Sequence, residues 1–272
     1  MKKAFSAPEI ESDTIQTLSD KLLQMTEQLA KTNRELQRYQ KERSEMLANI
    51  SHDLRAPITA IRGALDLQKS HPDASREELW EALSLIDRRT AVLENLIQDM
   101  YLLFTVENPS FEIKCQPVLL APFLEEYFFD AEQNPLYEGH RLILSVNSQL
   151  NALVLIDVSK MLRVLDNLFT NAAKYSGEGT TITLHAEPLA KKHLVAIEVS
   201  DNGIGIAPES LPHIFDRTYT VSRARTPGRE TGSGLGLCIV RTIIERFGGS
   251  VECISSPGNG CTFRILLPLA EE

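Results

Sequence analysis

From Ile15 onward the apolar residues of this chain step by three and four: Ile15, Leu18, Leu22, Met25, Leu29, then Leu36, Tyr39, Met46 and Ile50. Only Thr32 and Arg43 interrupt this heptad seam, and the residues between its members (KTNRE, QRYQKER) are charged and polar, as a solvated helix surface requires. Two readings fit, a single amphipathic helix lying on a domain or a parallel two-chain coiled coil. The second is favoured because no helix-stopping residue separates the seam from the segment around His52. Apolar spacing continues through Leu54, Ile58, Ile61 and Leu65 until KSHPDA, where Pro72 cannot continue a helix. A second helix is predicted to start at a capping box, Ser75 to Glu78, with Leu79, Leu83, Ile86, Leu93, Ile97, Met100 and Phe104 on its apolar face. One such hairpin has too little apolar surface to stand alone, whereas two make a four-helix bundle, so a homodimer is expected.

After Asn108-Pro109 the pattern changes to short β-rich runs: FEIKC, RLILSV, ALVLIDV, TITLHAE, LVAIEVSD, SVECISS and CTFRILLPL. Helical stretches at Pro122 to Phe129, Ser159 to Tyr175 and Leu237 to Phe247 lie among them. Strands in runs mixed with helices predict an α+β sandwich with its helices on one face of the sheet. The domain boundary is placed near residue 110.

Composition narrows the function classes. With 272 residues there is room for two domains, and 43% hydrophobic with 24% charged content is ordinary for a globular protein. A net charge of −9 argues against a broad nucleic-acid face, though not against a local basic cluster around a phosphate. Cys115, Cys238, Cys253 and Cys261 form no C-x-x-C pair, so neither a zinc site nor a disulfide framework is suggested and reduced thiols are expected. No apolar run approaches membrane-spanning length, and MKKAFSAPEIESD lacks a signal-peptide apolar core, so no direct membrane insertion is expected.

Four segments carry candidate chemistry. On the helical wheel His52 lies nearly opposite the sector of Leu47, Ile50, Leu54, Ile58, Ile61 and Leu65, and should face solvent. Asp53 beside it could orient or deprotonate the imidazole for nucleophilic attack, and Pro57 frees a carbonyl one turn earlier. On the helix DNLFTNAAKY, Asn167, Asn171 and Lys174 share one face, where amide oxygens suit Mg²⁺ and the ammonium suits phosphate. Leu162, Leu165, Phe169 and Ala173 form its packing face. In VSDNGIGI, Asp201 ends a strand before Gly203 and Gly205; its carboxylate could accept from an exocyclic amine while the glycines admit a ring closely. In TGSGLGL, Gly232, Gly234 and Gly236 open a helix whose amides and positive end favour phosphate. Residues 207 to 231 carry Arg217, Arg223, Arg225 and Arg229 with little periodicity, the pattern of a lid over an anion.

Together these segments resemble the bacterial sensor histidine kinases of two-component systems, from about residue 13 to residue 268. SHDLRAPI resembles the H box, which would make His52 the phospho-acceptor with Asp53 the adjacent acid. NLFTNAAKY is similar to the N box; by that match Asn171 holds Mg²⁺, Asn167 and Lys174 lie beside the phosphates, and Tyr175 lines the adenine site. DNGIGI resembles the G1 box with Asp201 on the adenine amine, IFDRTY the F box around Phe215, and GSGLGL, with Leu235 between its glycines, the G2 box. The resemblance implies a Bergerat-type ATP-binding sandwich. DTIQTLSDKLLQMTEQL more weakly resembles the second helix of a HAMP module. Three positions depart from the family pattern: Ala56, where relatives have Thr or Asn; Thr218, a place often aromatic; and Cys261, where a threonine usually follows the last glycine, here Gly260.

The expected architecture is a signalling coiled coil at 1–45, a dimerisation and phosphotransfer hairpin at 46–110, and an ATP-binding domain at 111–272. The expected function is an ATP- and Mg²⁺-dependent histidine kinase, homodimeric, passing the phosphoryl group to the receiver domain of a response regulator. A cytoplasmic location is expected, either as the cytoplasmic portion of a membrane sensor or as a naturally shortened form. Two rivals are a non-catalytic nucleotide-binding scaffold, which intact His52, Asn171 and Asp201 disfavour, and a topoisomerase-like ATPase, which the His52 hairpin disfavours.

Overall fold

The structure, a computed structural model, describes residues 7–71, 73–108, 110–147, 150–177, 179–189, 193–217, 219 and 234–270. The chain divides into two compact units, Met1–His52 and Asp53–Glu272. Helix α1 is Ala7–Ser70, and the first unit consists of its residues up to His52. Along the seam there, Leu22, Met25, Leu29 and Leu36 are exposed, at 59%, 63%, 67% and 54%.

In the second unit the remainder of α1 forms a helical hairpin with α2, Arg76–Glu107. The helix runs through Pro57 without interruption, although proline offers no amide to the Asp53 carbonyl one turn back. Ser75 caps α2 as its sequence requires: its amide donates to Glu78 Oε2 at 2.8 Å and its hydroxyl accepts from the Glu78 amide at 3.2 Å. Those bonds to Ser75 hold the Glu78 carboxyl below its ordinary value.

Strand β1 is Gln116–Leu119, followed by α3, Leu120–Glu132. The segment FEIKC is therefore not the first strand. The ladder begins at Gln116, opposite Ile156 of β3, Leu153–Ile156. Phe111 instead gives its carbonyl to the Arg246 guanidinium at 2.5 Å, so tertiary partners overrode local β-propensity.

The main sheet has five strands in the order β2-β4-β5-β7-β6. They are β2, Arg141–Val146; β4, Thr181–Leu189; β5, Leu194–Asp201; β6, Ser250–Ser255; and β7, Cys261–Pro268. Only β2 and β4 run parallel. Alternation puts Ile182, Leu184, Val195, Ile197, Val199, Phe263, Ile265 and Leu267 on one buried face. Helices α4, Val158–Tyr175, and α5, Gly236–Arg246, are apolar on one side and contribute the other half of this core. On α4 the buried row is Met161, Val164, Leu165, Leu168, Phe169 and Ala172, each at most 4% exposed. Leu162, expected on that face, is 37% exposed; of two adjoining apolar rows, contact with the sheet selected the one rotated by a residue. Burying each large member stabilises by about 1.5–3 kcal/mol, which holds the opposite, asparagine-bearing face in a defined place.

The C-terminal half of α2 docks on this layer. Leu103 and Val106 are buried, Asp99 pairs with Arg163 of α4, and Glu107 pairs with Arg217 at 2.6 Å. Arg246 of α5 also donates to the Asn108 carbonyl at 3.3 Å. Burial raises the Asp99 and Glu107 carboxyls, opposed in each case by the arginine.

Candidate nucleotide site and phospho-acceptor helix

The polar face of α4 meets the start of α5. Asn167 is half-buried, and its amide nitrogen donates to the Arg163 carbonyl at 2.9 Å, which orients the group. Its amide oxygen lies 2.6 Å from the point where a Cβ on Gly236 would sit, so only glycine admits this approach. Two segments almost seventy residues apart in sequence are thereby in contact. Gly234 just before has φ 67°, and Leu235 between the glycines is buried as an anchor. Gly232 lies outside the described residues. Asn171 is half-buried one turn along α4, and the Lys174 ammonium sits 5.5 Å over the Tyr175 ring, itself 46% exposed.

Asp201 ends β5 and accepts from the Gly203 amide at 2.8 Å. Burial raises its carboxyl above the usual aspartate value, opposed by the amides of Gly203 and Cys261 and by the Ser176 hydroxyl. Around it the backbone closes tightly. A Cβ on Gly203 would lie 2.7 Å from Ser176 Oγ and 2.9 Å from Asp201 Oδ1. One on Gly205, at φ 69°, would lie 2.0 Å from the Ser256 carbonyl oxygen. One on Gly260, at φ 70°, would lie 1.9 Å from the Asp201 carbonyl oxygen. Ser255 ties the walls together: its hydroxyl donates to the Gly260 carbonyl at 2.6 Å and accepts from the Ile206 amide at 2.8 Å. Phe215 packs edge-on against Phe263, ring centroids 6.3 Å apart.

Ser176 Oγ is buried beside Asp201. Sequence reading missed both Ser176 and Ser255. The first adjoins Tyr175 and was within reach; the second carries no local signal, because its role exists only across the β6–β7 ladder. Among the described residues no three His, Cys, Asp or Glu side chains gather as a metal cage. The amide oxygen of Asn171 does fit a hard cation that takes its other oxygens from phosphate and water.

Arg217, expected over an anion, is instead held by Glu107; Arg223, Arg225, Arg229 and Thr218 lie outside the described residues. On α1, His52 and Ala56 are exposed and Asp53 is half-buried. No helix among the described residues is long and apolar enough to cross a membrane.

A mixed sheet with helices on one face, a carboxylate at a strand end and glycine turns against an asparagine-bearing helix define an ATP-binding domain, here preceded by a helical hairpin with an exposed histidine. Residues 156–271 match the model of the histidine kinase-, DNA gyrase B- and HSP90-like ATPases, and residues 42–109 that of the His Kinase A (phospho-acceptor) domain. The chain belongs to the sensor histidine kinases. It is 30% identical over 244 residues to the sensor histidine kinase YvrG of Bacillus subtilis, covering 89% of this chain and 41% of that protein. It is 32% identical over 234 residues to the sensor protein kinase WalK of Staphylococcus saprophyticus, covering 86% and 38%. The chain thus spans about two fifths of the length of these curated relatives. Full-length ShkA, solved in complex with AMPPNP, superposes with a TM-score of 0.60 at 25% identity, over 84% of this chain and 46% of that one. Histidine kinase ThkA, solved with the response regulator protein TrrA, superposes at 0.67 with 24% identity, over 87% and 66%, a likeness of fold.

Proposed function

We propose that this protein is an ATP-dependent histidine kinase that phosphorylates itself on His52 and passes the phosphoryl group to an aspartate of a response regulator. The observation that supports the reading is convergence: Asn167 lies against Gly236, Asp201 against Gly203 and Gly260, and Tyr175 and Ser176 at the end of α4 against Gly203. In it the Asp201 carboxylate would accept from the adenine amine while Ser176 completes that edge, and Tyr175 and Phe215 would flank the ring. Asn167, Lys174, Gly232, Gly234 and the amides opening α5 would hold the phosphates. Asn171 would hold Mg²⁺, which when bound neutralises charge on the phosphates. An imidazole nitrogen of His52 would then attack the γ-phosphorus, with ADP as the leaving group and Asp53 accepting the proton of the other ring nitrogen in a hydrogen bond.

The proposal includes a homodimer. In the second unit Ile58, Leu65, Leu79, Leu83 and Ile97 are between 44% and 52% exposed, and a second hairpin would cover them to complete a four-helix bundle. The proposed division is a HAMP-like signalling helix at 1–45, the phosphotransfer hairpin at 46–110 and the ATP-binding domain at 111–272, acting on the cytoplasmic side of a membrane sensor. Incubation with γ-labelled ATP and Mg²⁺ should give an acid-labile, base-stable phosphoprotein. Equal labelling of His52→Gln would refute the assignment of the acceptor.

A further inference from the structure

Two thiols stand on the sheet face that carries Asp201. The register pairs Cys261 with Asp201 across β5–β7 and with Ser255 across β6–β7, while Cys253 pairs with Phe263. Cys253 and Cys261 are therefore diagonal neighbours with side chains on one face. Ser255 Oγ lies 3.2 Å from Cys261 Sγ. The neighbouring Cys253 thiol holds the Cys261 thiol below its ordinary value, and Cys261 in turn, together with burial, pushes Cys253 up. Cys115 and Cys238 are each raised by burial, so neither matches Cys261 as a nucleophile.

We propose that Cys253 and Cys261 form a peroxide-reactive dithiol in the wall of the nucleotide pocket, whose oxidation to a disulfide weakens ATP binding and which bound ATP protects. The ATP part of this proposal rests on reading the Asp201 pocket as the adenine site. The Cys261 thiolate attacks one oxygen of hydrogen peroxide, the O–O bond breaks, and hydroxide leaves to become water with the proton Cys261 released. The Cys253 sulfur then attacks the Cys261 sulfenic acid; the S–S bond forms, the S–O bond breaks, and the hydroxyl departs as water with the Cys253 proton. Two thiols are oxidised and one peroxide is reduced to two waters.

The consequence for ATP follows from the ladder. Diagonal neighbours lie about 7–8 Å apart at Cα, beyond the span of a relaxed disulfide, so the bond must draw β6 and β7 together. The turn joining them carries Gly260, which has no room to move toward the Asp201 carbonyl. A bond made under such strain is readily reduced, as a reversible modification must be.

The test uses the full chain, reduced and then exposed to hydrogen peroxide with and without ATP. Peptide mass spectrometry should find a Cys253–Cys261 cross-link, formed more slowly with ATP present. Calorimetry should show ATP affinity falling by about tenfold or more and returning with dithiothreitol. After peroxide, Cys253→Ser should carry a dimedone-trappable sulfenic acid on Cys261 with no cross-link. Oxidation confined to Cys115 or Cys238, a cross-link between chains only, or a cross-linked protein that binds ATP normally would each overturn the proposal. Reduced wild type that fails to bind ATP would refute the nucleotide reading and the coupling to it, while the peptide analysis would still decide the dithiol chemistry.

Discussion

Alanine at Gly260 and at Gly258 should separate backbone strain from the close approach that shapes the adenine wall. Both glycines lie in the β6–β7 turn with φ of 70° and 78°, so both substitutions incur the left-handed penalty of roughly 1–2 kcal/mol. Their surroundings differ. A Cβ on Gly258 meets nothing within 4 Å, whereas one on Gly260 would sit 1.9 Å from the Asp201 carbonyl oxygen and 2.7 Å from Asn202 Cα. Both obstacles are backbone, so no flexible side chain can yield. Displacing packed backbone by this much should add about 1–3 kcal/mol for Gly260→Ala. With roughly 2–4 °C lost per kcal/mol in a domain of this size, Gly260→Ala should melt several degrees below Gly258→Ala. The displacement is directed at Asp201, so ATP affinity should also fall by about tenfold or more in Gly260→Ala and hold in Gly258→Ala. Calorimetry of both variants, with and without nucleotide, reads each quantity. Equal melting and equal ATP affinity in the two variants would refute the argument that this contact sets the pocket.

Asp201→Asn should weaken ATP binding by about 1–3 kcal/mol, the scale of a hydrogen bond to a charged acceptor, and normal affinity by calorimetry would remove the adenine role. Because burial raises this carboxyl, its contribution to folding is favourable below the unfolded pKa and lost as pH rises through the folded one, so Asp201→Asn should not lower the neutral-pH melting temperature. ATP affinity should run the opposite way, falling on acidification at a pH above the ordinary aspartate range, where the acceptor becomes protonated. Residues 1–110 alone should sediment as a dimer at micromolar concentration; a monomer would contradict the bundle. Ala56, exposed one turn after His52, has no group to hold a water, so phospho-regulator should be dephosphorylated slowly with ADP present and faster by Ala56→Thr; fast loss with wild type, unchanged by the substitution, would show that position 56 does not matter.

Much of this protein was legible from local pattern, for local reasons. The capping box at Ser75 and Glu78 closes within one turn of chain, so its two hydrogen bonds needed no distant partner. The apolar seam from Leu22 to Leu36 was equally plain, and its members Leu22, Met25, Leu29 and Leu36 are exposed. Alternation within TITLHAE, LVAIEVSD and CTFRILLPL marked which side chains would be buried, because a strand's period is a property of its own backbone. The candidate site residues stood out as motifs through unusual composition at short range: paired asparagines on one helix face, and glycines crowded after an acid.

Tertiary structure decided what those patterns meet. Nothing local distinguishes FEIKC from a strand; the Arg246 guanidinium took the Phe111 carbonyl, and the ladder began at Gln116. Nothing local says which apolar row of α4 faces the sheet, or that Arg217 answers Glu107 at the end of α2. Asn167 touches Gly236, Gly260 touches the Asp201 carbonyl and Cys253 meets Cys261 only because the strand order places β7 between β5 and β6 and lays α5 against α4. Those are contacts between segments far apart in sequence, set by burial of the shared core, and a sequence records the groups that make them without recording their distance.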